Sequence, residues 1–133
     1  MLPRLLGLQA VLPRLERVDA ARLGVGIQGL SQAEVSYQNA VTYALDRRQG
    51  RALTGPAEPE EKADPIFVHP DVRRMLMDAK AFNEGMRAFA LWTALQQDLS
   101  HALQDEDERQ LADDLVGLMT PVIKGYGTDK GYD

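Results

Sequence analysis

Residues 69–103 read HPDVRRMLMDAKAFNEGMRAFALWTALQQDLSHAL, and the placing of their apolar side chains decides the fold. Val72, Met75, Ala79, Phe82, Met86 and Phe89 recur at alternating steps of three and four, followed by Trp92, Leu95 and Leu99. That spacing puts them on one face of a helix. Pro70 stands where a first helical residue loses nothing by lacking an N–H, and Asp71 adds negative charge at the positive end of the dipole. At 1.5 Å per residue the helix is about 50 Å long, more than a small monomeric globule covers. Other helices must pack along it.

Upstream, residues 19–51 carry a second helical pattern, with Leu23, Ile27, Leu30, Tyr37, Val41 and Ala44 on one face, interrupted by Glu34. Arg47, Arg48 and Arg51 fall in its expected last turn, where cations suit the negative end of the dipole and Gly50 can stop the helix. Two readings of these arginines stand: solvated caps, or guanidinium forks facing a phosphate. Residues 54–65, TGPAEPEEKADP, supply three prolines and four acids and predict a surface connection rather than a packed element. Downstream, a third helix is expected from about Asp105 to Lys124. Asp105, Glu106, Asp107 and Glu108 crowd its first turn, and Leu111, Leu115, Leu118, Met119 and Val122 form its apolar face. Pro121 is expected to kink it. The architecture predicted is an all-α, antiparallel bundle of three long helices.

Composition narrows the class. The 133 residues are one domain's worth of chain, and 44% hydrophobic with 26% charged is globular rather than disordered. A formal charge of -5 argues against a nucleic-acid or anionic-membrane surface. The absence of cysteine removes disulfides, thiolate catalysis and zinc ribbons together. No apolar run is long enough to span a bilayer, so a cytoplasmic protein is the default. The first eighteen residues carry Arg4, Arg14 and Arg17 against Glu16 alone. Pro3 and Pro13, the lack of Ser or Thr and the lack of a cleavage site point to an irregular lead-in rather than a targeting peptide.

Several motifs do not survive their context. Gly24, Gly26 and Gly29 satisfy G-x-G-x-x-G with Asp46 downstream. A dinucleotide motif needs a buried strand before its first glycine, whereas LERVDAARL is charged and has Val18 as its only β-branched residue. The better account is close approach of another backbone or a bulky ligand, at roughly 1 kcal/mol of helix propensity per glycine. The acids at 105–108 lack the glycine and alternating ligand spacing of a calcium loop. Asp113 and Asp114, adjacent on a helix, point apart and make a poor acid/base pair. His69 and His101 have no cysteine to join them, and no metal site is expected: they read as a cap-region and a surface histidine.

Three segments carry a family likeness: AARLGVGIQGLSQAEVSYQNAVTYALDRRQGRAL at 20–53, ADPIFVHPDVRRMLMDAKAFNEGMRAFALWTAL at 63–95 and ADDLVGLMTPVIKGYGTDKGYD at 112–133. In this order they resemble the C-terminal helical domain of acyl-CoA dehydrogenases, most closely the branch that includes 3-methylmercaptopropionyl-CoA dehydrogenases. The likeness covers residues 19–133. It implies FAD-dependent α,β-dehydrogenation of an acyl-CoA thioester, in an enzyme whose C-terminal four-helix bundle makes dimer and tetramer contacts. It also implies that Arg47 and Gln49, matching the family's R-x-Q before Gly50, reach the FAD pyrophosphate of a neighbouring subunit. Asp19 and Arg22 match an acid and an arginine near the CoA portion of the substrate.

There are departures. The family's N-terminal helical domain and β-barrel are not in this sequence, nor are the GG-x-GY flavin segment and the YEGT-like sequence bearing the catalytic glutamate. Gly125 and Gly127 replace helix formers, suggesting an early or weak end to the third helix. The expectation is therefore three helices of a four-helix bundle, a fragment of a flavoenzyme without its catalytic base, with an uncovered apolar stripe that drives association. The alternative is a non-catalytic helical oligomerisation or interaction module. Acyl-chain preference and the electron acceptor are not implied.

Overall fold

In the computed structural model, the structure describes the backbone of residues 3–132 and the side chains of residues 19–132. Three helices dominate: α1 (Pro3–Asp46), α2 (Pro70–Ala102) and α3 (Glu106–Gly131), with a 3-10 turn at Ile66–Val68 before α2. Among the described residues there is no strand, and one isolated antiparallel bridge joins Arg48 and Pro65. α2 begins at Pro70 as its sequence predicts. The backbone of α1 is helical from Pro3 rather than from Asp19, through the stretch expected to be irregular; the side chains of that stretch lie outside the described residues.

The chain divides into two compact units, residues 1–30 with 86–133, and residues 31–85. The first is built on contact between backbones. Leu23, Gly26, Gly29 and Leu30 of α1, Met86, Ala90 and Thr93 of α2, and Ala112, Val116, Thr120, Ile123, Gly127 and Gly131 of α3 are all buried. A methyl group on Gly29 would overlap the Gly127 carbonyl, and one on Gly131 would lie 2.5 Å from the Gly29 oxygen. One on Gly127 would lie 3.0 Å from Met86 Cε and 3.1 Å from the Gly26 oxygen, so all three helices converge there. Position rises together along the two partners, 26 with 123, 29 with 127 and 131, so α1 and α3 run parallel.

This contact overturns the face expected of α3. Leu111 and Leu118 are 60% and 62% exposed and Val122 is 47% exposed, while Leu115 and Met119 are half-buried. Ala112, Val116, Thr120, Ile123, Gly127 and Gly131 form the inner face instead, and at Gly127 and Gly131 the missing side chain lets the backbones of α1 and α3 approach. α3 does not end early: it runs through Pro121 and Gly125 to Gly131, and at Gly127 and Gly131, though not at Gly125, the missing side chain is a packing requirement. On α2 the expected stripe is inner at Met86, but Trp92 and Leu95 are exposed and Ala90 and Thr93 are buried in their place.

In the second unit Ala44, Asp64 and Asn83 are buried, and Met75, expected on the inner stripe of α2, is 50% exposed. α1 stops at Asp46, so Arg47, Arg48 and Arg51 follow the helix rather than capping it. The reason is local pairing: Arg47 and Gly50 carbonyls accept from the amides of Ile66 (2.8 Å) and Asp64 (3.0 Å), and Gln49 N–H donates to the Asp64 carbonyl (2.9 Å). Gly50 does not terminate the helix; it supplies a φ of 70° inside this loop.

Two glycine substitutions on one helix separate the packed positions from the open ones. Gly29→Ala should cost about 1–3 kcal/mol or more by forcing α1 and α3 apart, whereas Gly24→Ala, with open space around it, should add up to about 1 kcal/mol through helix propensity. Urea unfolding followed by circular dichroism at 222 nm reads both.

Candidate functional site

The R-x-Q residues lie on the segment leaving α1. Arg47 N–H still bonds back to the Tyr43 carbonyl (2.8 Å), and the chain then runs extended through the Arg48–Pro65 bridge. In extended backbone successive side chains alternate, so Arg47 and Gln49 share one side and Arg48 takes the other. Arg48 Nη1 donates to Glu58 Oε2 (2.5 Å) and to the Ala63 carbonyl (3.1 Å), and the Glu58 hydrogen bond raises its pKa above the ordinary arginine value. Arg51 donates to the Glu58 and Glu61 carbonyls and, over 3.2 Å, to Asp64 Oδ1. Arg47 and Gln49 are exposed, and among the described residues no hydrogen bond or ion pair engages either side chain.

Asp64 holds this arrangement: the surface connection expected at 54–65 is exposed along most of its length and is folded around this one buried side chain. Its side chain is fully buried. Oδ2 accepts from Ala52 N–H (2.9 Å) and Ala57 N–H (3.1 Å), and Oδ1 from Glu58 N–H (2.9 Å) and Arg51. The Ala52 amide above all, then the Glu58 amide, hold the carboxyl well below the usual carboxylate range, against the opposing effect of burial. From the other side His69 Nε2 donates to the Gln49 carbonyl (2.8 Å), so the cap-region histidine also ties the start of α2 to the R-x-Q segment. Nothing in the spacing singles out Asp64 among the acids of TGPAEPEEKADP, because three of its partners are backbone amides, which every non-proline residue carries.

Asp19 and Arg22 lie in the other unit, one turn apart on α1, with Arg22 Nη1 3.5 Å from Asp19 Oδ1. Asp105 caps α3 by accepting from Glu108 N–H (3.0 Å), so part of the acid run serves the helix start. Among the described residues no group of three His, Cys, Asp or Glu side chains is placed to hold a metal ion. Asn83 is a buried residue that periodicity assigns no role, and neither its amide nitrogen nor its oxygen has a partner among the described residues.

No family model matches the chain. It is 40% identical over 116 residues to the 3-methylmercaptopropionyl-CoA dehydrogenase of Ruegeria pomeroyi, a match covering 87% of the chain and 19% of that protein. It is 39% identical over 118 residues to a broad-specificity linear acyl-CoA dehydrogenase of Mycobacterium tuberculosis (88% and 19%). With a butyryl-CoA dehydrogenase of Syntrophomonas wolfei it shares 32% over 117 residues (88% and 19%). The chain thus spans about a fifth of the length of these relatives.

The Asp64 cluster sets a pH dependence. A carboxyl whose folded pKa is depressed contributes stability above its unfolded pKa, about 3.9 for Asp, and loses that contribution as pH falls towards the folded value. The stability difference between the native chain and Asp64→Asn should therefore be full at neutral pH and shrink as pH falls below about 4. Urea unfolding of both chains between neutral and acid pH measures it.

Proposed function

This chain belongs to the acyl-CoA dehydrogenase family, and we propose that it forms the helical part of an FAD-dependent enzyme that introduces an α,β double bond into acyl-CoA thioesters. The observation that carries this reading furthest is the division of labour among three neighbouring arginines. Arg48 and Arg51 are consumed inside the loop, while Arg47 and Gln49 stand exposed. A guanidinium fork beside a side-chain amide is a donor set suited to phosphate oxygens, and the pyrophosphate of FAD presents them. Bound FAD would supply the hydride acceptor; these residues would hold its pyrophosphate and take no part in proton transfer.

Asp19 and Arg22 would serve the CoA portion of the substrate. Their mutual contact is a long one between partly exposed groups, which leaves the guanidinium open to a further anion at small cost. The exposed row Leu111, Leu118 and Val122, together with half-buried Leu115, lies on one side of α3 and would cover itself in a homo-oligomer, a dimer or tetramer, through the helical bundle. We place the protein in the cytoplasm; no helix among the described residues is long and apolar enough to cross a membrane.

FAD titrated into the purified chain, followed by flavin fluorescence, should show Arg47→Ala and Gln49→Ala each weakening binding by roughly ten- to a hundredfold, the worth of a charge-assisted or well-placed hydrogen bond. Binding indifferent to both changes rules out the flavin role, and a closed, flavin-free dimer would leave the interaction-module reading in its place. In sedimentation velocity, Leu118→Glu should shift the chain towards monomer with its helicity unchanged.

A further inference from the structure

We propose that Asp64 is a positioning residue for the phosphate contact, a role that rests on the reading of Arg47 and Gln49 just given. The segment 47–50 has no helix to hold it. What keeps it extended is residues 64–66, through the Ile66, Asp64 and Gln49 amide bonds, and residues 64–66 are held in turn by the Asp64 side chain. A single buried carboxylate gathers three amides, from Ala52, Ala57 and Glu58, and closes residues 51–64 on themselves. It also draws in Arg51, whose guanidinium spans the loop to the Glu58 and Glu61 carbonyls.

The chemistry needs an aspartate there. Four donors converge on two oxygens, and an ionised carboxylate is acceptor-only with about four lone-pair sites. Asparagine would turn an NH2 towards N–H groups, leaving donors facing donors in a buried place. The loop also sorts the arginines: with Arg51 bound to Asp64 and Arg48 to Glu58, neither competes with Arg47 for an incoming anion. Asp64 thus acts on the ligand only through the geometry of the R-x-Q segment.

The test uses inorganic pyrophosphate as probe and the full chain. Binding is followed by isothermal titration calorimetry, and loop order by amide hydrogen exchange. Asp64→Asn should leave helicity intact, speed exchange at Gln49, Ala52, Ala57, Glu58 and Ile66 by about tenfold or more, and weaken pyrophosphate binding as much as Arg47→Ala combined with Gln49→Ala. Adding Asp64→Asn to that double variant should weaken binding no further, since groups acting through one another are not additive. Should Asp64→Asn fail to fold, Arg51→Ala must show the same changes in smaller measure. Binding and exchange unchanged by Asp64→Asn, or a full additive loss in the combined variant, overturns the role of Asp64 alone. A native chain with a protected loop that does not bind pyrophosphate overturns the phosphate reading and this role with it.

Discussion

At Gly29, Gly127 and Gly131 the backbones of α1 and α3 meet with no side chain between them, and the fold of the first unit follows from that approach. Where Gly29 faces Gly127 and Gly131, not one methyl group fits. Helices that close must turn their small residues inward, so α3 presents Ala112, Val116, Thr120, Ile123, Gly127 and Gly131 and sends Leu111 and Leu118 outward. Burying the larger side chains would remove more apolar area from water, at roughly 25 cal/mol per Å². The arrangement forgoes it, and the leucine row is left exposed.

The second unit solves a different problem, holding irregular backbone through side-chain hydrogen bonds. Each buried amide needs a partner, and a loop containing Pro56, Pro59 and Pro65 cannot find them in a helix. Asp64 supplies the acceptors, and the charge it brings is matched by Arg51. Here the apolar core is slight, Ala44 being its only fully buried apolar side chain among the described residues, so polar closure carries the order.

The helices were readable from periodicity because length and turn chemistry agreed: Pro70 and Asp71 mark the start of α2 and the acids from Asp105 mark that of α3. Their inner faces were less so. A leucine and a glycine are weighed by hydrophobicity in a sequence, but by volume in a helix contact, and Gly127 outranks Leu118 there. The loop escaped because hydrogen bonds to backbone N–H groups leave no trace in residue identity. Arg47 and Gln49 were singled out through family likeness, since three arginines within five positions look alike until two of them find acids.

The loop's charges have one more consequence. Between positions 47 and 65, Arg47, Arg48, Arg51 and Lys62 are balanced by Glu58, Glu60, Glu61 and Asp64, on a chain of net charge -5. A dianion in solution therefore feels no long-range pull towards this loop, whose field is that of a multipole screened over about 8 Å at physiological ionic strength. On the phosphate role proposed for Arg47, capture would be a matter of contact rather than of steering, which favours an anion delivered by an already docked body over one arriving freely by diffusion.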